Sequence, residues 1–222
     1  NTGKISSGGD GIFVDQSTLT ETLSNVGTIS GASSGIKISS SSILTGGIAN
    51  LGLIQGDTLY GIGVFGSTLS EGITNAGTIT GLEDGLALES GSTLSGGLNN
   101  SGLISASTDK AVLVSHSELS GGITNTGSLV GGSTGLGFDN AQLFGGIVNA
   151  GLISGLMAGV YLSSSTLAGG LENTGSISSG NLGVGLSRSS VSGGINNSGS
   201  IHGTTFGLLL AGGTTLSDGL LN

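Results

Sequence analysis

The chain has no cysteine, no proline and no tryptophan, and only 8% of its 222 residues are charged. Without cysteine it forms no disulfides and no thiolate metal sites. Four basic residues against thirteen acidic ones leave a net charge of −9. That excludes nucleic-acid binding, which needs clustered Lys and Arg to neutralise phosphates. No apolar run approaches the roughly 18 residues needed to cross a bilayer, so no transmembrane helix is expected and this segment inserts in no membrane. No signal peptide opens the chain, which would make an exported protein a mature or excised piece. The two histidines, His116 and His202, lie far apart with no metal-ligand spacing. No P-loop pattern is present, and no cofactor is expected.

What is abundant is glycine, 48 residues, together with serine and threonine, while 35% of the residues are still hydrophobic. Such a composition usually means disorder. Here the apolar residues are periodic, so a core can form. Asparagine recurs at Asn1, Asn25, Asn50, Asn75, Asn100, Asn125, Asn149, Asn173, Asn197 and Asn222, in steps of 24 or 25. Glycine follows two positions later and Ile or Leu four positions later. The frame reads L-x-x-x-[IL]-x-N-x-G-x-I, with ten residues between its ends from Leu19 to Ile29, Leu94 to Ile104 and Val191 to Ile201. A shorter apolar phrase lies between, as Ile36-Lys37-Ile38 and Leu86-Ala87-Leu88.

Length changes fall only on the two flanks of the short phrase. Ile54 to Ile62 takes eight residues and Ile79 to Leu86 seven; Leu88 to Leu94 takes six and Leu162 to Leu167 five. A one-residue slip inside a strand would turn every side chain to the opposite face, so insertions mark turns. Period-two alternation over short stretches predicts strands, and the glycine and serine density opposes helix. The prediction is an all-β parallel β-helix (β-solenoid) over residues 1–222, with three short strands per 24–25-residue coil and about nine coils. At about 4.8 Å per coil the rod would be roughly 43 Å long.

Within one unit, Leu94 ends a face and Gly96-Gly97 form a corner. Leu98, Asn100, Gly102 and Ile104 are expected to point inward. Glu21, Glu71 and Asp218 replace the first corner glycine elsewhere, so that position is solvated. The asparagines Asn25, Asn50, Asn75, Asn100, Asn125, Asn149, Asn173 and Asn197 are read as a structural ladder. Stacked carboxamides satisfy one another and the corner backbone. Asn99-Asn100-Ser101 and Asn196-Asn197-Ser198 match the glycosylation sequon at their first residue.

The "GGITNAGTITG"-like units and the serine- and threonine-rich outer positions resemble passenger domains of bacterial autotransporters and other type V secreted adhesins. The resemblance spans the chain. It implies a rod at the bacterial cell surface or released from it, acting as a stalk or adhesin toward a host or surface glycan or a protein receptor. The membrane β-barrel of that family has no counterpart in these residues. The chain starts and stops at the same point of the repeat without capping repeats, so end-to-end self-association, or a place in a longer solenoid, is expected.

Two other functions are legible. A β-helix enzyme acting on polysaccharide would use carboxylates of the outward column Asp15, Ser39, Phe65, Glu89, Ser115, Asp139, Ser163. Glu89 and Asp139 would stand about 10 Å apart, with His116 and Glu118 nearby. Short loops and the lack of an aromatic platform oppose this. An ice-binding face would use the outward pairs Thr28/Ser30, Leu53/Gln55, Thr78/Thr80 and their successors, but Thr-x-Thr occurs there only once. The single GGDG at Gly8–Gly11 lacks the tandem copies of a calcium-binding solenoid. Lys110 is expected to pair with Asp84 across adjacent coils. The reading carried forward is a non-enzymatic extracellular structural rod, an adhesin stalk or filament segment.

Overall fold

A computed structural model describes residues 1–222. The chain winds through about nine coils, and each coil contributes one strand to each of four nine-stranded parallel sheets. We name the sheets in chain order. Sheet A runs from Lys4–Ser7 to Ser200–Gly203, sheet B from Ile12–Asp15 to Phe206–Ala211, sheet C from Thr18–Leu19 to Thr215–Leu216, and sheet D from Leu23–Asn25 to Leu220–Leu221. There is no helix.

Four strands per coil correct the expected three. The ten-residue block is not one straight element after its first corner. In the coil of Asn100, sheet D ends at Asn100, the chain bends at Ser101-Gly102, and sheet A begins at Leu103. Gly102 does not point inward as expected. It sits half-buried in this second corner, where a Cβ would collide with the Gly77 carbonyl oxygen of the preceding coil. Glycine lets neighbouring backbones close at that point. The first corner uses glycine differently: Gly97 has φ +77°, whereas Gly96 does not need the left-handed region.

Apart from Gly102, the inside-outside assignment holds. Ile104 is fully buried and Ser105, one residue on, is half-exposed. Inward residues of all four sheets join one continuous apolar core of 37 buried residues, from Ile29 to Ile195. Registers match the length variation. Ile79 aligns with Ile104 and Leu88 with Val114 despite unequal spacing, because the extra residues lie in the turns.

The turn from sheet B to sheet C carries a second polar column that serine abundance conceals in the sequence. Ser42, Ser67, Ser92, Ser117, Ser165 and Ser189 are buried. Each Oγ accepts a backbone N–H from the coil before: Ser42 N to Ser67 Oγ at 3.1 Å, Ser92 N to Ser117 Oγ at 3.1 Å, Ser165 N to Ser189 Oγ at 3.1 Å. Each hydroxyl donates to a carbonyl of its own coil, as Ser117 Oγ does to Ser115 O at 2.8 Å. Ala141 interrupts the column, so the Ser117 N–H has no hydroxyl to meet. Ala141→Ser is therefore expected to raise stability by about 1 kcal/mol, or roughly 2–4 °C in melting temperature at this chain length. Thermal unfolding followed by circular dichroism checks this.

Candidate functional site

The asparagine ladder is continuous. Asn25 Nδ2 donates to Asn50 Oδ1 at 2.8 Å, and the pattern repeats through Asn75, Asn100, Asn125, Asn149, Asn173 and Asn197 at 2.7–2.8 Å. All donate in the same direction along the rod, so the amide dipoles reinforce one another. From Asn25 to Asn173 each Nδ2 also lies within reach of the carbonyl two residues on and of a sheet A carbonyl in the next coil. For Asn100 these are Gly102 O at 3.1 Å and Ser128 O at 3.2 Å. The asparagine thus fastens the D-to-A corner of one coil to the next. The eight ladder asparagines are buried, which places them in the core.

The outward column of the polysaccharide reading is aligned as expected: Asp15 with Ser39, Phe65 with Glu89, and Ser115 with Asp139 and then Ser163. The candidate groups divide between two adjoining hollows. One, of about 370 Å³ on the outer face of sheet B, is bounded by Lys110, Leu113, Asp139 and Tyr161, with Gly137 as its floor. The other, of about 320 Å³ at the B-to-C turn, holds His116, Glu118, Asn140 and Gln142. Glu89 lines neither. His116 and Asn140 adopt left-handed conformations, φ +49° and +47°, which carry the strand out of sheet B at the corner. The His116 ring nitrogens lie 3.0 Å from Ser115 Oγ and 3.4 Å from Asn140 Nδ2.

Six of the seven aromatic residues lie on sheet B: Phe138 is buried in the core, Phe13, Tyr60, Phe65 and Tyr161 stand on its outer face, and Phe206 is exposed in its last strand. Phe13 aligns with Lys37 and Lys37 with Gly63; further on, Gly137 aligns with Tyr161 and Tyr161 with Gly185. The glycines of this outward column are troughs. The Tyr60 and Phe65 rings reach over Gly63, with centroids 5.3 Å apart, the Lys110 stem crosses Gly137, and the Tyr161 ring lies over Gly185. Lys37 Nζ stands 5.5 Å from the Phe13 ring centre and 6.0 Å from that of Phe65, a cation–π arrangement. Register brings Phe13, Tyr60 and Phe65 together around Lys37, whereas Tyr161 stands four coils further along the rod.

The threonine-rich pairs of the ice-binding reading do face outward on sheet A. Thr28 aligns with Leu53 and Thr78 with Leu103, so leucines interrupt the lattice. Sheet C carries a longer outward series, Thr18, Thr68, Thr93, Thr166 and Thr215, broken by Ile43, Glu118, Gln142 and Ser190. The Asp10 carboxylate of GGDG accepts the Ser34 N–H at 3.0 Å, a structural contact. No cluster of three or more His, Asp or Glu side chains converges as a metal site.

Lys110 departs from expectation. Its Nζ pairs with Asp109 at 2.6 Å, not with Asp84. Asp84 is 2% exposed and accepts the backbone N–H of Lys110 at 2.9 Å. Burial pushes its pKa up to about 7, helped by the nearby Asp109 and Glu83 charges and opposed by the Lys110 N–H and ammonium. The folded chain thus holds a proton that the unfolded chain, with an ordinary aspartate pKa of about 3.9, releases earlier. This contribution to stability is fully present below about pH 4, is lost as pH rises through about 7, and is constant above that. Three units correspond to a ceiling of about 4 kcal/mol. Asp84→Asn is expected to raise the melting temperature at pH 8 and to flatten its slope between pH 4 and 7 relative to wild type.

Comparison with protein families, with curated proteins and with solved structures finds no match to this chain.

Proposed function

We propose that the chain is a non-enzymatic extracellular structural rod of a bacterium, serving as an adhesin stalk or filament segment in the manner of autotransporter passenger domains. One observation carries the reading. Nearly every residue that recurs from coil to coil is spent on joining coils, through the apolar core, the asparagine ladder and the serine ladder. Turns are short throughout, and Glu89 and Asp139 do not share a hollow, so the side walls build no cleft around a pair of carboxylates. The low charge density and the absence of cysteine suit a rod outside the cell. A parallel coil offers unpaired N–H and C=O groups along its open edge, so the proposal includes end-to-end association of coils, within one longer chain or between copies. The rod would present a host or surface glycan, or a protein receptor, with its side walls.

Immunogold labelling of intact cells with an antibody to this segment tests the location. Surface label on thin projections is expected; label confined to the cytoplasm would overturn the reading. Electron microscopy of the isolated segment at increasing concentration tests association, with fibres one solenoid wide as the expected result.

A further inference from the structure

We propose that the two adjoining hollows on sheet B and the B-to-C turn form one carbohydrate-binding strip that takes a neutral oligosaccharide. This deepens the rod reading by naming a ligand class for its side wall, and it requires only that the coils be folded. The observations are geometric. The Tyr161 ring reaches over Gly185, which has no side chain to push it aside, and so stays on the outer face of sheet B. It is half-buried and lines the sheet B hollow. Gly137 lies between Leu113 on one coil and Tyr161 on the next but one, and the methylene stem of Lys110 crosses it, giving the hollow an apolar floor. The apolar C–H face of a pyranose fits such a floor, while its hydroxyls need donors and acceptors around the rim. Asp139, Ser115 and Ser163 stand there.

The chain passes directly from Ser115 to His116 and from Asp139 to Asn140, so the hollows share an edge. The second is wholly polar. Its imidazole, two carboxamides and one carboxylate can each bridge neighbouring hydroxyls of a second sugar ring. Volumes of about 370 and 320 Å³ lie in the range of small-ligand sites. Both hollows are shallow, which suits weak binding repeated along many rods and amplified by avidity. Charge selects the ligand. The one ammonium in the strip, Lys110, is paired with Asp109. Asp139 and Glu118 leave the strip net negative, which disfavours uronate or sulfated chains.

The test is an NMR titration of the folded, isotope-labelled chain with cellotetraose, chitotetraose and tetragalacturonate. Either neutral tetrasaccharide is expected to shift the amides of Ser115, His116, Asp139, Asn140 and Tyr161, with a dissociation constant on the order of 1 mM. Tyr161→Ala and Asp139→Asn should each weaken binding about tenfold or more, while Thr28→Ala on sheet A should leave it unchanged. Tyr161→Ala and Asp139→Asn alter outward residues, and unchanged circular dichroism and melting in these variants separate lost binding from a lost rod. No shifts in the strip with either neutral ligand at about 10 mM would overturn the proposal. So would shifts centred elsewhere, insensitivity to Tyr161→Ala, or tighter binding of tetragalacturonate.

Discussion

Ile104→Asp should unfold the central coils. Ile104 is fully buried, aligned with Ile79 before it and Leu129 after it, in the middle of a core that runs unbroken along the rod. A carboxylate there has no cation or donor set to receive it. An uncompensated buried charge costs about 3–5 kcal/mol, in addition to the isoleucine packing that is lost. Because coils contact only their neighbours, the damage should spread from this point toward both ends. Ser105→Asp places the same charge one residue on, facing outward, and should change stability by less than about 0.5 kcal/mol. Urea unfolding of both variants by circular dichroism reads the contrast, and equal losses would mean that the two residues do not lie on opposite sides of sheet A.

Asn100→Ala should cost about 1–3 kcal/mol, less than the core charge and well above a typical surface change. The substitution removes the acceptor for Asn75 Nδ2 and the donor to Asn125 Oδ1, both at 2.8 Å and both buried. It also strips the corner carbonyls of Gly102 and Ser128. Water cannot readily replace these partners, since Asn75 and Asn125 are both fully buried. Asn1→Ala is the control. That residue is exposed and reaches only one ladder neighbour, Asn25, at 2.9 Å, so its removal should be nearly silent. A loss at Asn1 equal to that at Asn100 would contradict a ladder whose strength comes from burial.

The ladder was legible because a single residue type recurs at a fixed step with glycine always two positions on. The fourth strand was not. The bend at Ser101-Gly102 breaks the alternation only at a glycine, which has no side chain to show it, so the pattern of Leu98, Asn100 and Ile104 reads as one continuous strand through the corner. The serine ladder was hidden by composition: Ser42 or Ser92 looks like any other serine until its burial is known. Asp84 misled for a related reason. Its column at the A-to-B turn mixes Tyr60, Thr134 and Leu182 with Lys110, so no periodicity announces that a short side chain there is enclosed while a long one escapes over sheet B. The cluster of Phe13, Tyr60 and Phe65 around Lys37 required both the register and the Gly63 trough, and neither is visible in the scattered positions of these residues.

The central claim is that buried polar ladders, with the core, bind successive coils into a rod. Hydrogen exchange of the asparagine side-chain amides, followed by NMR on the folded chain, tests it most directly. The Nδ2 protons of Asn50 through Asn173 are predicted to exchange as slowly as the backbone amides of sheets A and D, and Asn1 to exchange freely. Rapid exchange of the interior carboxamides alongside a protected backbone would contradict the claim.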